Sequence, residues 1–423
     1  MVSEICNNEN LKADHTADGV LYTYQTGQEY LGIFPVWDWS RLPGTTNRAG
    51  VLGSKVRQQV RIAVIGQGIF LHFLAPLISQ CFSVIRQGLT SFVGGLSTPN
   101  GSVAMSAMDY SSASFGTGDE GGVSAQKAWF FLPMGTVALA HNISGVASPA
   151  VEIVTTLEQS LLSNPGGDMG GGSVVSIGSG SGAPTVVSEA NSSVPIGHWV
   201  HHDGKVYTPL ATPTEDEWRL EIGDRSGSWM TINEGLDNTT DGETLEIPVF
   251  LLDVSHGPKP EGESLAYAVL PGVGPASGAG AKVVAFEASA KIVANSGAAQ
   301  AVLATLRAGE VVLMVVVWPS ATATTVDGGK PGLKVTLPKP ANGGLLTVAT
   351  GSEGTVFSAA DPTNDAEGGE IVFTIDRSLQ ELRGGSSGVS GGVVTCAKAG
   401  AGTTVTVTLP TGITAGSTAT GSC

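Results

Sequence analysis

Basic side chains are scarce in this chain. It carries 21 Lys and Arg against 37 Asp and Glu, a formal net charge of -16. Binding a phosphate backbone needs concentrated positive charge, so a nucleic-acid partner is not expected. The same deficit suits a polyanionic partner only where a local basic groove overrides the global field. Cysteine is scarce too. Cys6, Cys81, Cys396 and Cys423 stand far apart with no CxxC or Cys/His spacing, so neither a zinc site nor a disulfide framework is expected, and no metal or cofactor is called for. The opening MVSEICNNEN has neither the charged nor the apolar region of a signal peptide. No G-x-S-x-G elbow supports serine hydrolysis. The G-x-G triplets lack a following helix and read as turns, not phosphate loops.

Glycine, by contrast, is abundant at 59 residues, while charged residues make up only 14%. Val, Thr and Ser fill much of the remainder, often in alternation. That composition suits many short strands joined by turns and argues against helical bundles. A chain of 423 residues is long enough for two or three cores. Runs such as GVLYTY, SVAMSAMDY, AWFFL, TVALAHNI, VEIVTTLEQSLL and ESLAYAVLPGV predict strands between residues 19 and 273. EVVLMVVVW, LKVTL and IVFTI predict a second, smaller sandwich. Residues 163–185 read as a Gly/Ser loop unable to bury a core, and 274–284 as a linker. Beyond Gly384 only VTVTL keeps a strand pattern, and the last dozen residues are expected to be mobile.

One segment stands apart. Residues 62–85, IAVIGQGIFLHFLAPLISQCFSVI, form an apolar run flanked by Lys55, Arg57, Arg61 and Arg86. Its length meets the usual need of ~20 residues for crossing a bilayer. Gly66, Gln67, Gly68, His72, Pro76 and Gln80 lower its hydropathy well below a clean span, so a buried or irregular insertion over 51–89 is favoured over a membrane partner.

His198, His201 and His202 are the densest histidine group. On a strand His198 and His202 share one face and His201 takes the other, poor geometry for a metal triad, so a hydrogen-bonding role is favoured. Asp203 falls in a turn. Trp37, Trp39, Trp129, Trp199, Trp218 and Trp229 read mostly as core aromatics, with stacking of Trp37 or Trp39 on the CH-rich face of a pyranose as the alternative. Asn142, Asn191 and Asn238 each begin an N-x-S/T sequon, which matters only on a secretory route.

The stretch Ser3–Thr46 carries the most specific signal. Glu4, Asn7, Asn8, Glu9, Asn10, Leu11 and Lys12 precede Asp18-Gly19, then Tyr22 and Tyr24, then Trp37-Asp38-Trp39 and Arg41-Leu42-Pro43-Gly44-Thr45-Thr46. Farther on come TSFVGG from Thr90, AMDY, KAWFFLP, TTLEQ, GHWVHHDGKVY, GSWMTIN and AYAVLPG, in that order to Pro271, and a weaker SAADPTN at 358–364. This series resembles polysaccharide lyase family eight, the hyaluronate, chondroitin and xanthan lyases. The resemblance implies an all-β fold for this chain. It would hold a large central β-sandwich over 1–273, of the galactose-mutarotase-like super-sandwich type, then a smaller C-terminal β-sandwich over 285–423. It implies an extracellular protein acting on acidic polysaccharide.

β-Elimination beside a uronate needs a donor to neutralise the substrate carboxylate, a base for the C5 proton and an acid for the leaving oxygen. In the family these are an Asn, a His, a Tyr and Arg residues on a preceding helical domain, which also carries most of the basic groove. Their motifs are not found in this chain. By the motif, the β-side residues map onto Glu4, which would orient or charge-balance a catalytic partner, and Asn7, which would hydrogen-bond sugar or the His/Tyr pair. Asn10 falls in the same segment as a substrate-binding candidate. The expectation is a lyase β-portion inactive without a helical domain. The alternative is a non-catalytic carbohydrate-binding β-sandwich protein.

Overall fold

The computed structural model describes residues 92–98, 101–111, 123–145, 153–162, 174–187, 190–195, 197–210, 218–228, 244–306, 309–320, 322–338, 342–352, 354–363, 369–379, 392–411 and 418–422. Almost all of these are strands. The chain opens with β1 (Val93–Ser97), β2 (Ala104–Ser111), β3 (Val123–Leu132), β4 (Gly135–Gly145), β5 (Val154–Leu161), β6 (Val175–Ser179), β7 (Thr185–Val187) and β8 (Ala190–Ser193). It continues with β9 (His198–His202), β10 (Lys205–Pro209), β11 (Trp218–Ser228), β12 (Thr244–Ser255) and β13 (Glu261–Leu270). A 3-10 turn (Ala276–Gly278) and a helix, α1 (Ala279–Ser289), follow. Then come β14 (Ala290–Asn295), β15 (Ala299–Thr305), β16 (Val311–Val317), β17 (Thr324–Asp327), β18 (Lys334–Leu337) and β19 (Gly344–Gly351). The last five are β20 (Gly354–Ala360), β21 (Glu370–Ile375), β22 (Val393–Ala399), β23 (Gly402–Thr408) and β24 (Ala419–Ser422).

They form four sheets. The largest has nine strands in the order β1-β2-β3-β4-β13-β10-β9-β6-β7, and a four-stranded sheet runs β5-β12-β11-β8. A six-stranded sheet runs β14-β15-β16-β19-β20-β24 and a five-stranded one β17-β18-β21-β23-β22. Three apolar clusters separate them. Trp129, Leu157, Tyr207, Phe250 and Leu252 fill the gap between the four- and nine-stranded sheets. Phe130, Leu270, Phe286, Met314 and Trp318 fill the gap between the nine- and six-stranded sheets. Val315, Phe357, Phe373 and Val405 fill the gap between the six- and five-stranded sheets. The protein is therefore a stack in which two inner sheets are covered on both faces.

This stacking explains the sequence pattern. Along β13, Ala266, Ala268 and Leu270 enter one core while Leu265, Tyr267 and Val269 enter the other. Along β16, Val312, Met314 and Val316 face the nine-stranded side, and Leu313, Val315 and Val317 face the five-stranded side. A strand buried on both faces has no polar side to show, so its sequence becomes a continuous apolar run.

Several segments differ from expectation. Residues 274–284 are not an open linker: they hold the 3-10 turn and the first half of α1. Alanine is the best helix former, and Ala279, Val283 and Phe286 are buried between sheets. Residues 163–185 include β6, whose Val175 and Ser176 are buried and whose Gly178 lies under Trp199: a Cβ there would come within 2.3 Å of the indole. Small residues here admit a large neighbour and do not signal a loop. Near the C-terminus, Ala419–Ser422 pair with β20, and Ala419 and Thr420 are buried. Cys396 is disulfide-bonded, against the expectation from cysteine spacing. Strand pairing can bring cysteines together irrespective of their spacing in sequence.

Two of the family-like motifs meet at one junction. In the DPT turn, Asp361 Oδ1 accepts from the Thr363 amide at 2.8 Å and its hydroxyl at 2.6 Å. The Val93 amide of FVGG donates to the Pro362 carbonyl at 2.9 Å. A Cβ on Gly94 would sit 2.7 Å from Pro362 Cα, so this glycine is what lets the two backbones approach. Gly94→Ala should therefore cost about 1–3 kcal/mol by overpacking. Chemical denaturation would show it as a lowered midpoint, and an unchanged midpoint would mean the contact is not held in solution.

Candidate functional site

The residues singled out by sequence, Glu4, Asn7, Asn10, Trp37 and Trp39, lie outside the described residues, as does the apolar run 62–85. No described helix is long and apolar enough to cross a membrane. Among the described residues, two buried clusters of ionisable groups join the four- and nine-stranded sheets.

The first cluster centres on Glu158 of β5. Opposite Leu252 and Asp253 the register of β5 shifts, leaving Leu157 as an extra residue. This bulge re-aims the strand, so the consecutive Leu157 and Glu158 are both buried, at 0% and 2% exposure. Glu158 Oε2 accepts from Tyr207 Oη at 2.6 Å and from Lys205 Nζ at 2.9 Å, both on β10 of the facing sheet. Burial, and then the Glu158 charge and hydrogen bond, push the Tyr207 hydroxyl well above its ordinary range. A phenol held that firmly protonated is no proton acceptor near neutral pH. Tyr267, raised by burial alone, is no better.

The second cluster joins Thr155, His256 and Glu263. His256 Nδ1 lies 2.9 Å from Glu263 Oε2 and its Nε2 lies 2.9 Å from Thr155 Oγ1. The His256 side chain is 0% exposed. Although the order carboxylate, imidazole, hydroxyl resembles a hydrolytic relay, Thr155 is buried within β5. A nucleophile needs access for substrate, so this group serves as a tie between sheets.

The histidines of β9 behave as their spacing predicts. His201 Nε2 lies 3.0 Å from the Val273 carbonyl on one face, and His202 stacks on Phe250 at 4.1 Å on the other. The hairpin β9–β10 turns through Asp203 and Gly204, at φ 47 and φ 73, a two-residue loop that an Asp-Gly pair suits. Trp129, Trp199 and Trp218 are buried, and Trp229 lies outside the described residues. No group of three His, Cys, Asp or Glu side chains poised for a metal ion occurs among the described residues.

Lys127 of β3 is a third feature that its sequence context hides. Its ammonium sits 5.0 Å from the centroid of the Tyr110 ring, and burial lowers its pKa from 10.5 to about 7. Below that folded value both states hold the proton. Between about 7 and 10.5 the unfolded chain alone holds it. Stability should therefore rise with pH across this window, by at most about 1.4 kcal/mol per unit. Lys127→Met should remove that slope, which urea titrations of both proteins from pH 7 upward would reveal; parallel curves would contradict it.

The comparisons bear on what this stack belongs to. The family model described as "Polysaccharide lyase family 8, super-sandwich domain" matches residues 1–281 of the 423. The chain belongs to polysaccharide lyase family 8. A curated relative, the Chondroitinase-AC of Pedobacter heparinus, is 29% identical over 273 residues, covering 64% of this chain and 31% of that protein. The chain thus spans about a third of the length of the curated relative it matches. Among solved structures, a Paenibacillus xanthan lyase superposes with a TM-score of 0.59 at 20% identity, over 80% of this chain and 29% of the other. A chondroitinase AC lyase known from oligosaccharide complexes gives 0.56 at 24%, over 79% and 40%. The Streptomyces coelicolor A3 chondroitin AC lyase gives 0.53 at 21%, over 78% and 35%. At these identities the superpositions speak to the fold, and the fold is the family's super-sandwich.

Sequence reading missed the Glu158, His256 and Lys127 groups. The available signal was a charge or imidazole set inside an apolar strand run: Glu158 in VTTLEQSL, Lys127 in VSAQKAWFFL and His256 at the end of VFLLDVSH. The described residues of this family 8 chain thus provide layers and the polar ties between them.

Proposed function

We propose that this chain is the β-sandwich portion of a secreted lyase that cleaves uronate-containing polysaccharide of the hyaluronate, chondroitin or xanthan type by β-elimination. The observation that carries the reading is the family-model match over residues 1–281. In it, Glu4 orients or charge-balances a catalytic partner and Asn7 hydrogen-bonds sugar or that partner. Asn10 contacts substrate and Trp37 or Trp39 stacks on a sugar ring. The proton acceptor and donor come from a helical lyase domain. That assignment is supported by Tyr207 and Tyr267, both buried with raised pKa values.

The test is reconstitution. The chain is mixed with the separately produced helical portion of a chondroitinase AC, and absorbance of the unsaturated uronate is followed. Turnover should arise only in the mixture. Asn7→Ala should lower kcat/KM about tenfold or more, the worth of one hydrogen bond of ~1.4 kcal/mol, and Glu4→Ala should lower it as well. Variants as active as the parent mixture would remove both residues from the cleft.

A second reading, a carbohydrate-binding protein without catalysis, is favoured by the Glu158 and His256 clusters, whose polar groups are spent on tying sheets together. It predicts retention on a chondroitin or xanthan matrix with no turnover in any mixture.

A further inference from the structure

We propose that Asn142 is an acceptor for N-linked oligosaccharide when the chain passes through an N-glycosylating secretory compartment. Of the four sequons, those at Asn100 and Asn238 lie outside the described residues and Asn191 lies within β8, paired to Glu221 of β11. Asn142 differs from Asn191 in its backbone. On β4, His141 and Asn142 together oppose the single residue Ser264 of β13, because Ala140 pairs with Leu265 and Ile143 with Glu263. On the other side the register shifts again, with Ser144 opposite Ser124 and His141 opposite Gln126.

The extra residue sits at φ 57, a left-handed backbone that asparagine tolerates better than most side chains. A bulge of this kind re-aims a side chain out of the sheet's alternation. Ile143 is accordingly buried in the core while Asn142 is exposed. Gly262 of the neighbouring strand, at φ 80, lies beside it: a Cβ there would stand 3.7 Å from Asn142 Oδ1. The sequon hydroxyl, Ser144 Oγ, accepts from the Gly262 amide at 2.9 Å in the folded protein, so the triplet is held at the surface. A second observation points to the same compartment. Cys396 is disulfide-bonded, and such bonds persist in oxidising, exported environments.

The transfer balances with a polyprenyl-diphosphate-linked oligosaccharide as donor. Asn142 Nδ2 forms a bond to the sugar's anomeric carbon and gives up one proton. The bond from that carbon to the diphosphate oxygen breaks, and the lipid diphosphate leaves. The inference rests on export but not on the lyase reading, so a bare asparagine would leave catalysis untouched.

The full chain is fused to a signal peptide and expressed in yeast. Total cell protein and medium are both treated with an amide-cleaving glycosidase in heavy-oxygen water. The peptide holding Asn142 should carry a labelled aspartate in most copies. Asn142→Gln and Ser144→Ala should abolish the label, and Ser144→Thr should retain it. Scoring total cell protein keeps the result readable where a variant fails to leave the cell. Translocated chain, recognised by removal of the signal peptide, with Asn142 unlabelled would overturn the proposal.

Discussion

Replacing Glu158 with alanine should cost about 3–5 kcal/mol of stability, because it leaves the groups that held a buried carboxylate without their partner. Glu158 is 2% exposed and takes hydrogen bonds from Lys205 and Tyr207 across the gap between two sheets. Removing it strands the Tyr207 hydroxyl in an apolar setting and leaves Lys205, 19% exposed, without its counter-charge. Glu158→Gln should cost less, since an amide oxygen still accepts from Tyr207. Converting all three to Leu, Met and Phe at 158, 205 and 207 should recover most of the loss, as apolar replacement of a buried polar group often does. Guanidine unfolding of the four proteins would separate these cases. A loss below about 1 kcal/mol for the alanine variant would mean that the carboxylate does not tie the sheets.

That cluster also shows where sequence reading stops. The strands themselves were legible. SVAMSAMDY, AWFFL, TVALAHNI and AYAVL appear as β2, β3, β4 and β13, because apolar runs bounded by Gly and Pro leave few alternatives. The split of His201 and His202 between faces followed from strand period, and the turn was read at Asp203. What period cannot reveal is a register shift. A bulge at Leu157 puts Glu158 indoors, and another at Asn142 puts that side chain outdoors. Both reverse what alternation predicts.

Nor does composition tell small residues used for close packing from small residues used for turns. Gly178 under Trp199 and Gly280 against the Gly180 carbonyl, where a Cβ would fall within 2.3 Å, belong to the first kind. The Ala- and Gly-rich segment leading into α1 therefore read as a linker although Ala279 and Phe286 are buried between sheets. The candidate site was legible only through the motif order from Glu4 to Thr46. Its residues carry polar chemistry with no periodic signature, and they lie outside the described residues.

The mechanism proposed for this family 8 chain turns on proton transfer. Elimination requires a group that accepts the C5 proton near neutral pH and a donor for the departing oxygen. Of the three described tyrosines, Tyr207 is committed to Glu158 and Tyr267 is buried in the core, while Tyr110 is half-buried beside Lys127. Of the five described histidines, His256 is committed to Glu263 and Thr155, His201 to the Val273 carbonyl, and His202 lies stacked on Phe250, while His141 and His198 are half-buried. Losing an acid–base pair alone removes about 10²–10⁴-fold in rate for each member. If both members come from the helical domain proposed above, turnover by this chain alone should fall below detection.

The decisive measurement is the absorbance of unsaturated uronate when these 423 residues alone, folded by circular dichroism, meet hyaluronate, chondroitin or xanthan. A flat trace with each polymer is the predicted result. Sustained turnover that survives repurification would contradict the account, because the acid and base would then have to reside within this chain.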